Sequence, residues 1–284
     1  MVPMTPIVAA WIDALELLSC GQWPKVTLQG KNLKVQFPPW KPGNVKKHER
    51  GIIRGFSSKS RLRLLKRMAT VDWRSVGNSL FITLTYPDHV IHVDAWKRNR
   101  ERYLLHRYVE KYAGKHVSGV WRVEWKPRLT GMFVGRLLPH VHLLLFNCPE
   151  IGKETIRSWW KTIIKYEEFV SVDAQAIPIG EAAACYVSKY CGKVEHPQYL
   201  DNVPYLNRTG RHYGYTRSKE IPVCKKIQFP VLDPDLIEYL RTKASAKLPY
   251  LSLKYPDSFT LLGEFAKQIG DEVLKIALDR QAAS

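Results

Sequence analysis

With 284 residues the chain has room for one large domain or two modest ones, and 45% hydrophobic residues, with nine Trp, fourteen Tyr and nine Phe, exclude a disordered polymer. Lys and Arg number 44 against 26 Asp and Glu, a formal charge of +18 that favours a polyanionic partner, nucleic acid ahead of an anionic membrane. The five cysteines are odd in number and form no C-x-x-C pair, so neither a zinc ribbon nor a disulfide framework is indicated, and a cytoplasmic location is expected.

Residues 1–45 read as an N-terminal extension. Trp11, Leu15 and Leu18 have the spacing of an amphipathic helix rather than a signal peptide, and a Pro-broken loop follows, ending in FPPWKPGN at 37–44. No uninterrupted apolar run of about eighteen residues occurs, so no transmembrane span is expected. The next segment is basic: over 46–67 the cations, Arg54, Lys59, Arg61 and Arg63 among them, oppose only Glu49. From Ser58 onward Leu62, Leu65 and Met68 recur at helical spacing, with Ser57, Ser58 or Ser60 as the cap. A solvated helix face and a phosphate-facing surface account for this charge equally well.

SLFITLTYP at 79–87 is rich in β-branched and aromatic residues and stops at Pro87, which predicts a strand. A helix is expected over 94–114, capped by Asp94 and ended by Gly114, and a strand over 117–125. The strand 138–146, a helix at 153–169, a strand near 169–177 and a helix at 180–193 complete the middle of the chain. Two further helices are read at 234–247 and 258–280. The expected fold is α+β: a central antiparallel sheet with packed helices, and helical N- and C-terminal extensions. The corresponding division is 1–45, a catalytic domain over 46–220, and a C-terminal helical region over 221–284.

The stretch LPHVHLLLF at 138–146 carries the most chemistry. Strand alternation turns His140 and His142 to one face and Val141, Leu143 and Leu145 to the other. Two imidazoles about 7 Å apart along a strand can chelate one divalent ion, although the pair alone is equally consistent with two histidines at the edge of a core. If 117–125 pairs with this strand, Glu124 sits beside them, where it is either a third ligand or an ordinary surface carboxylate. A carboxylate with two imidazoles and open positions suits Mg²⁺ or Mn²⁺ when phosphate oxygens complete the shell.

In YVSKYCGK at 186–193, Tyr186 and Tyr190 are four apart and share a helix face, with Lys189 near it. Such tyrosines are ordinarily core or groove aromatics. The chemical alternative is a phenol nucleophile, for which a phosphate must be presented and its charge neutralised, here by Lys189.

Taken in order, FITLTYP (Phe81 to Pro87), the histidine–hydrophobic–histidine of His140, Val141 and His142, and the Y-x-x-K-Y of Tyr186, Lys189 and Tyr190 resemble the HUH endonuclease superfamily. More narrowly they resemble the two-tyrosine rolling-circle replication initiators of phages and plasmids, over roughly residues 50–215, including GFSSKSRLRLL and GRHYGY at 210–215. The resemblance implies a divalent metal, Mg²⁺ or Mn²⁺, held by His140, His142 and an acidic residue, for which Glu124 stands. It implies attack by a tyrosine on single-stranded origin DNA, a 5′-phosphotyrosine link and a freed 3′-hydroxyl primer. One departure is the link from Glu124 to the histidines, which is longer and more basic than a short turn.

The chain has no G-x-x-x-x-G-K-[ST] motif, so unwinding would fall to a helicase of the bacterial host, and priming would serve a host polymerase. No membrane partner is expected. Arg54, Lys59, Arg61, Arg63, Arg128, Arg136, Arg208 and Arg211 are candidates for phosphate contacts. Two alternatives remain at this stage: a two-tyrosine transposase of the same superfamily, and a non-catalytic basic nucleic-acid-binding protein.

Overall fold

The computed structural model describes residues 25–36, 56–87, 94–128, 134–135, 137–177, 211–230, 234–247 and 258–283. Among these residues the fold is mixed α+β, with five helices and two antiparallel sheets. The chain divides into two units. Glu49–Pro222 forms one, and Met1–His48 joins Val223–Ser284 in the other.

The Glu49–Pro222 unit holds the central sheet expected from the sequence. Its strands are β3 (Ser79–Leu84), β4 (Gly119–Pro127), β5 (Leu137–Leu145), β6 (Val172–Ile177) and β7 (Tyr213–Thr216), in the order β6-β3-β5-β4-β7 with every pair antiparallel. Strand β5 is interior, bonded to β3 on one edge and β4 on the other. One face of the sheet is apolar: Leu80, Ile82 and Leu84 from β3, Trp121 and Val123 from β4, and Val141, Leu143 and Leu145 from β5. Helices α2 (Ala95–Ala113) and α3 (Lys153–Ile164) cover this face with Leu105, Val109, Ile156 and the fully buried Trp160.

Local sequence explains the helix ends. The Asp94 carboxylate accepts the Lys97 N–H at 2.7 Å, satisfying a donor that the first turn leaves unpaired, and Gly114 ends α2 in the left-handed region at φ 64. Helix α3 stops at Ile164, short of the expected 169, where Lys165 turns left-handed at φ 56. Helix α1 (Ser58–Ala69) takes Ser57 as its cap, of the three serines available, with the hydroxyl accepting from the Ser60 N–H. Leu64 and Met68 of α1 pack with Phe56, Phe81, Val120 and Leu144, so α1 lies on the sheet face opposite to α2 and α3.

The terminal unit departs from the sequence reading. In place of a helix and loop alone, the N-terminal segment supplies a hairpin, β1 (Lys25–Gln29) and β2 (Asn32–Gln36), turned at Gly30 with φ 57. The C-terminal segment is not only helical. It contributes β8 (Ile227–Pro230), α4 (Pro234–Lys247), β9 (Ser258–Leu262) and α5 (Glu264–Ala283). The sheet order is β8-β1-β2-β9, and Val26, Leu28, Leu33 and Val35 pack under Leu236, Leu240, Ile269 and Val273. The single helix expected over 258–280 is therefore a strand followed by a helix. Gly263, at φ 91, separates them where its N–H donates to Lys31 O. The helix read near Trp11 lies outside the described residues.

Candidate functional site

The face of the central sheet opposite to α2 and α3 is where the polar side chains of β3, β4 and β5 collect. Antiparallel register places Glu124 directly opposite His140, and Arg122 directly opposite His142. On the other edge of β5, Thr83 stands opposite His142. Directly opposite residues in an antiparallel pair point to the same face, so these side chains share one surface. One strand further, Asp173 of β6 stands opposite Thr83.

His142 is tied from both sides. Its Nδ1 hydrogen-bonds with Thr83 Oγ1 at 3.0 Å and its Nε2 with Glu124 Oε2 at 3.1 Å. The ring stacks on Phe81 at 5.8 Å and is buried. His140 is half-buried, with Nδ1 3.4 Å from Thr85 Oγ1. Burial pushes the His142 imidazole below its usual range, although the adjoining Glu124 carboxylate pulls the other way. Glu124 is itself buried, and Lys126 Nζ reaches its Oε2 at 3.1 Å.

The donor types fit a hard or borderline divalent cation: two imidazoles and a carboxylate. The 3.1 Å between His142 Nε2 and Glu124 Oε2 matches the roughly 3 Å edge between neighbouring ligands of an octahedral ion bound at about 2.1 Å. The threonine bond to the other His142 nitrogen fixes the ring as outer partners of metal ligands do. Among the described residues no three His, Cys, Asp or Glu side chains are already gathered as a metal cage. The close pair is His142 and Glu124, and His140 supplies the third donor from the position facing Glu124.

Of the cations named from the sequence, Lys59, Arg61 and Arg63 lie on α1, with Lys59, Arg63 and also Arg211 exposed. Because α1 packs on the histidine side of the sheet, its cations flank that face. Arg128 is buried instead, and its guanidinium donates to Pro87 O at 2.8 Å, a structural tie between strand ends. Arg54, Arg136 and Arg208 lie outside the described residues, as do Tyr186, Lys189 and Tyr190.

The comparison with known families adds one result. Residues 79–195 match the family model of replication-associated protein ORF2. The matched segment is less than half of the chain and runs from β3 through β6. It therefore contains His140, His142 and Glu124 together with Tyr186, Lys189 and Tyr190. This similarity to the replication-associated family supports a replication initiator role. No curated protein and no solved structure matches the chain significantly.

Sequence reading had passed over Thr83, Thr85, Arg122 and Asp173. The threonines carried a signal, since they alternate in FITLTYP and so share a face with Phe81. Arg122 and Asp173 required the register, which no local pattern supplies.

Proposed function

We propose that the chain is a metal-dependent, tyrosine-nucleophile endonuclease and strand transferase that initiates rolling-circle replication at single-stranded origin DNA. The observation that carries this reading is the His142–Glu124 contact at 3.1 Å, with His140 facing Glu124, on the sheet covered by the replication-associated match.

In this reading His140, His142 and Glu124 hold Mg²⁺ or Mn²⁺, which when bound supplies Lewis-acid polarisation of a phosphodiester oxygen. Thr83 and Thr85 orient the two imidazoles. A phenol of Tyr186 or Tyr190 forms the new oxygen–phosphorus bond as the bond to the 3′ oxygen breaks. The phenolic proton ends on that oxygen, giving a 3′-hydroxyl and a 5′-phosphotyrosine. The number of phosphoester bonds is conserved, so the same chemistry run in reverse rejoins the ends. Lys189 offsets phosphoryl charge. Lys59, Arg61, Arg63 and Arg211, with Arg54, Arg136 and Arg208, contact backbone phosphates. A host helicase and polymerase complete replication.

The test is a denaturing gel of the protein incubated with labelled single-stranded oligonucleotides and Mn²⁺. A covalent adduct is expected, lost in the Tyr186→Phe, Tyr190→Phe double variant. Absence of any adduct across a broad oligonucleotide pool overturns the reading.

A further inference from the structure

Helix α2 presents an outer face that the proposed chemistry does not use. Each of its exposed residues is either a cation or an aromatic. The cations are Lys97, Arg100, Arg107 and Lys111, and the aromatics are Trp96, Tyr103, Tyr108 and Tyr112. Trp96 is 70% exposed, Tyr112 55% and Tyr103 54%, which is costly for a surface with no partner.

The two carboxylates of α2 are turned away from this surface. Glu101 is buried and accepts the Tyr86 hydroxyl at 2.8 Å. Glu110 is buried and takes both a 3.0 Å and a 3.2 Å bond from the Arg217 guanidinium. Arg107 and Lys97 keep only long contacts to these acids, at 3.6 and 3.9 Å. The exposed carboxylate next to the helix is its cap, Asp94, already engaged with the Lys97 N–H.

The spacing is ordered. Trp96, Arg100, Tyr103, Arg107 and Lys111 follow at intervals of three or four residues, which sets them in one stripe along the helix. The stripe is about 22 Å long. Arg100 lies over the Trp96 ring at 5.5 Å. Tyr108 and Tyr112 flank Trp159 of α3, at 5.6 and 5.8 Å, so the aromatic surface continues onto the next helix.

We propose that this face of α2 is a second binding surface for single-stranded nucleic acid, on the side of the central sheet opposite to the histidines. Alternating rings and cations are what a flexible polyanion with stackable bases recognises: the rings stack on bases, the guanidinium and ammonium groups meet phosphates, and neither needs a defined sequence. A duplex, whose bases are already stacked, leaves the rings without partners. The inference takes its partner class from the nucleic-acid reading above but not its chemistry.

The experiment uses the full chain and a fluorescent oligo(dT) probe, followed by anisotropy over a salt series. The double variants Arg100→Gln, Arg107→Gln and Trp96→Ala, Tyr103→Ala are each expected to weaken binding at least about tenfold. The arginine pair should also flatten the salt dependence by about 1.4 in log–log slope. Photocrosslinking of an iododeoxyuridine-substituted oligonucleotide should label peptides of α2. Unchanged affinity and slope in both variants, with crosslinks confined to other segments, overturns the inference. The adduct gel run on the same variants separates the two ideas. Adduct formation with α2 variants that bind normally removes this surface alone, whereas a wild-type chain with neither adduct nor oligo(dT) binding removes both.

Discussion

His142 and Glu124 touch across two adjacent strands, Nε2 to Oε2 at 3.1 Å, while Thr83 holds the other ring nitrogen from the strand on the far side. Three neighbouring strands thus fix one imidazole between a hydroxyl and a carboxylate. A buried ring with both nitrogens engaged has its orientation set before any substrate arrives.

Mn²⁺ binding measured by calorimetry should therefore be lost in His142→Ala and in the isosteric Glu124→Gln. Thr83→Val removes the outer hydrogen bond and keeps the shape, so the affinity should fall by about 10- to 100-fold rather than vanish. Wild-type affinity in Thr83→Val would show that the hydroxyl does not position the ring.

Trp160 connects the apolar side of the sheet to the histidine strand's neighbour. It is fully buried, packs edge-on against Tyr86 at 5.3 Å, and its indole N–H donates to Thr85 O at 3.0 Å. Trp160→Ala should cost about 3–5 kcal/mol in urea unfolding. Trp160→Phe keeps most of the packing and loses the hydrogen bond, for which about 1 kcal/mol is expected beyond the size change.

Acid stability has a nameable contributor in Glu110. Burial pushes its carboxyl up, but the Arg217 guanidinium, the Val117 N–H and the neighbouring imidazoles outweigh it and hold the group at about 2, against an ordinary 4.5. A carboxyl with a depressed folded value stabilises the fold fully above 4.5, and that stabilisation is lost as pH falls from 4.5 through about 2. Thermal unfolding followed over this window should show wild type losing stability on acidification. Arg217→Ala should start lower at neutral pH and show a shallower fall, because less of the depression remains to be lost.

Gly214 has no room for a side chain. A Cβ at this position would meet Trp121 Cζ2 at 2.6 Å, so β7 can lie beside β4 only with glycine there. Gly214→Ala should destabilise by about 1–3 kcal/mol and shift the tryptophan emission, checked by thermal melting with fluorescence detection.

What could be read from the sequence was what is encoded within a few residues. Asp94 and Gly114 bound α2 as expected because capping is a local contact, and the alternation in β5 separated His140 and His142 from Val141 and Leu143 without any partner strand in view. The hairpin β1–β2 escaped the sequence reading although Val26, Leu28, Leu33 and Val35 alternate on either side of Gly30. Its short strands are flanked by proline-containing sequence, and the strands that complete its sheet lie at the other end of the chain. Strand β9 merged with the following helix because Leu261, Leu262 and Phe265 continue an apolar run that only Gly263 interrupts. At the site, Glu124 was nameable because its strand precedes β5 in sequence. Thr83 needed the β3–β5 register, a long-range fact.

The shared terminal sheet also sets an order of events during synthesis. Glu49–Pro222 is continuous in sequence and can assemble its core before the last residues are made. The hairpin β1–β2, by contrast, is translated first and finished last. Val26 waits for Phe229 and Val35 for Phe259, and until both arrive each edge of the hairpin carries unpaired backbone groups. A nascent chain stalled or truncated before residue 258 would therefore expose an open apolar ribbon while its central unit is already finished, and quality control would meet the hairpin rather than the histidine sheet.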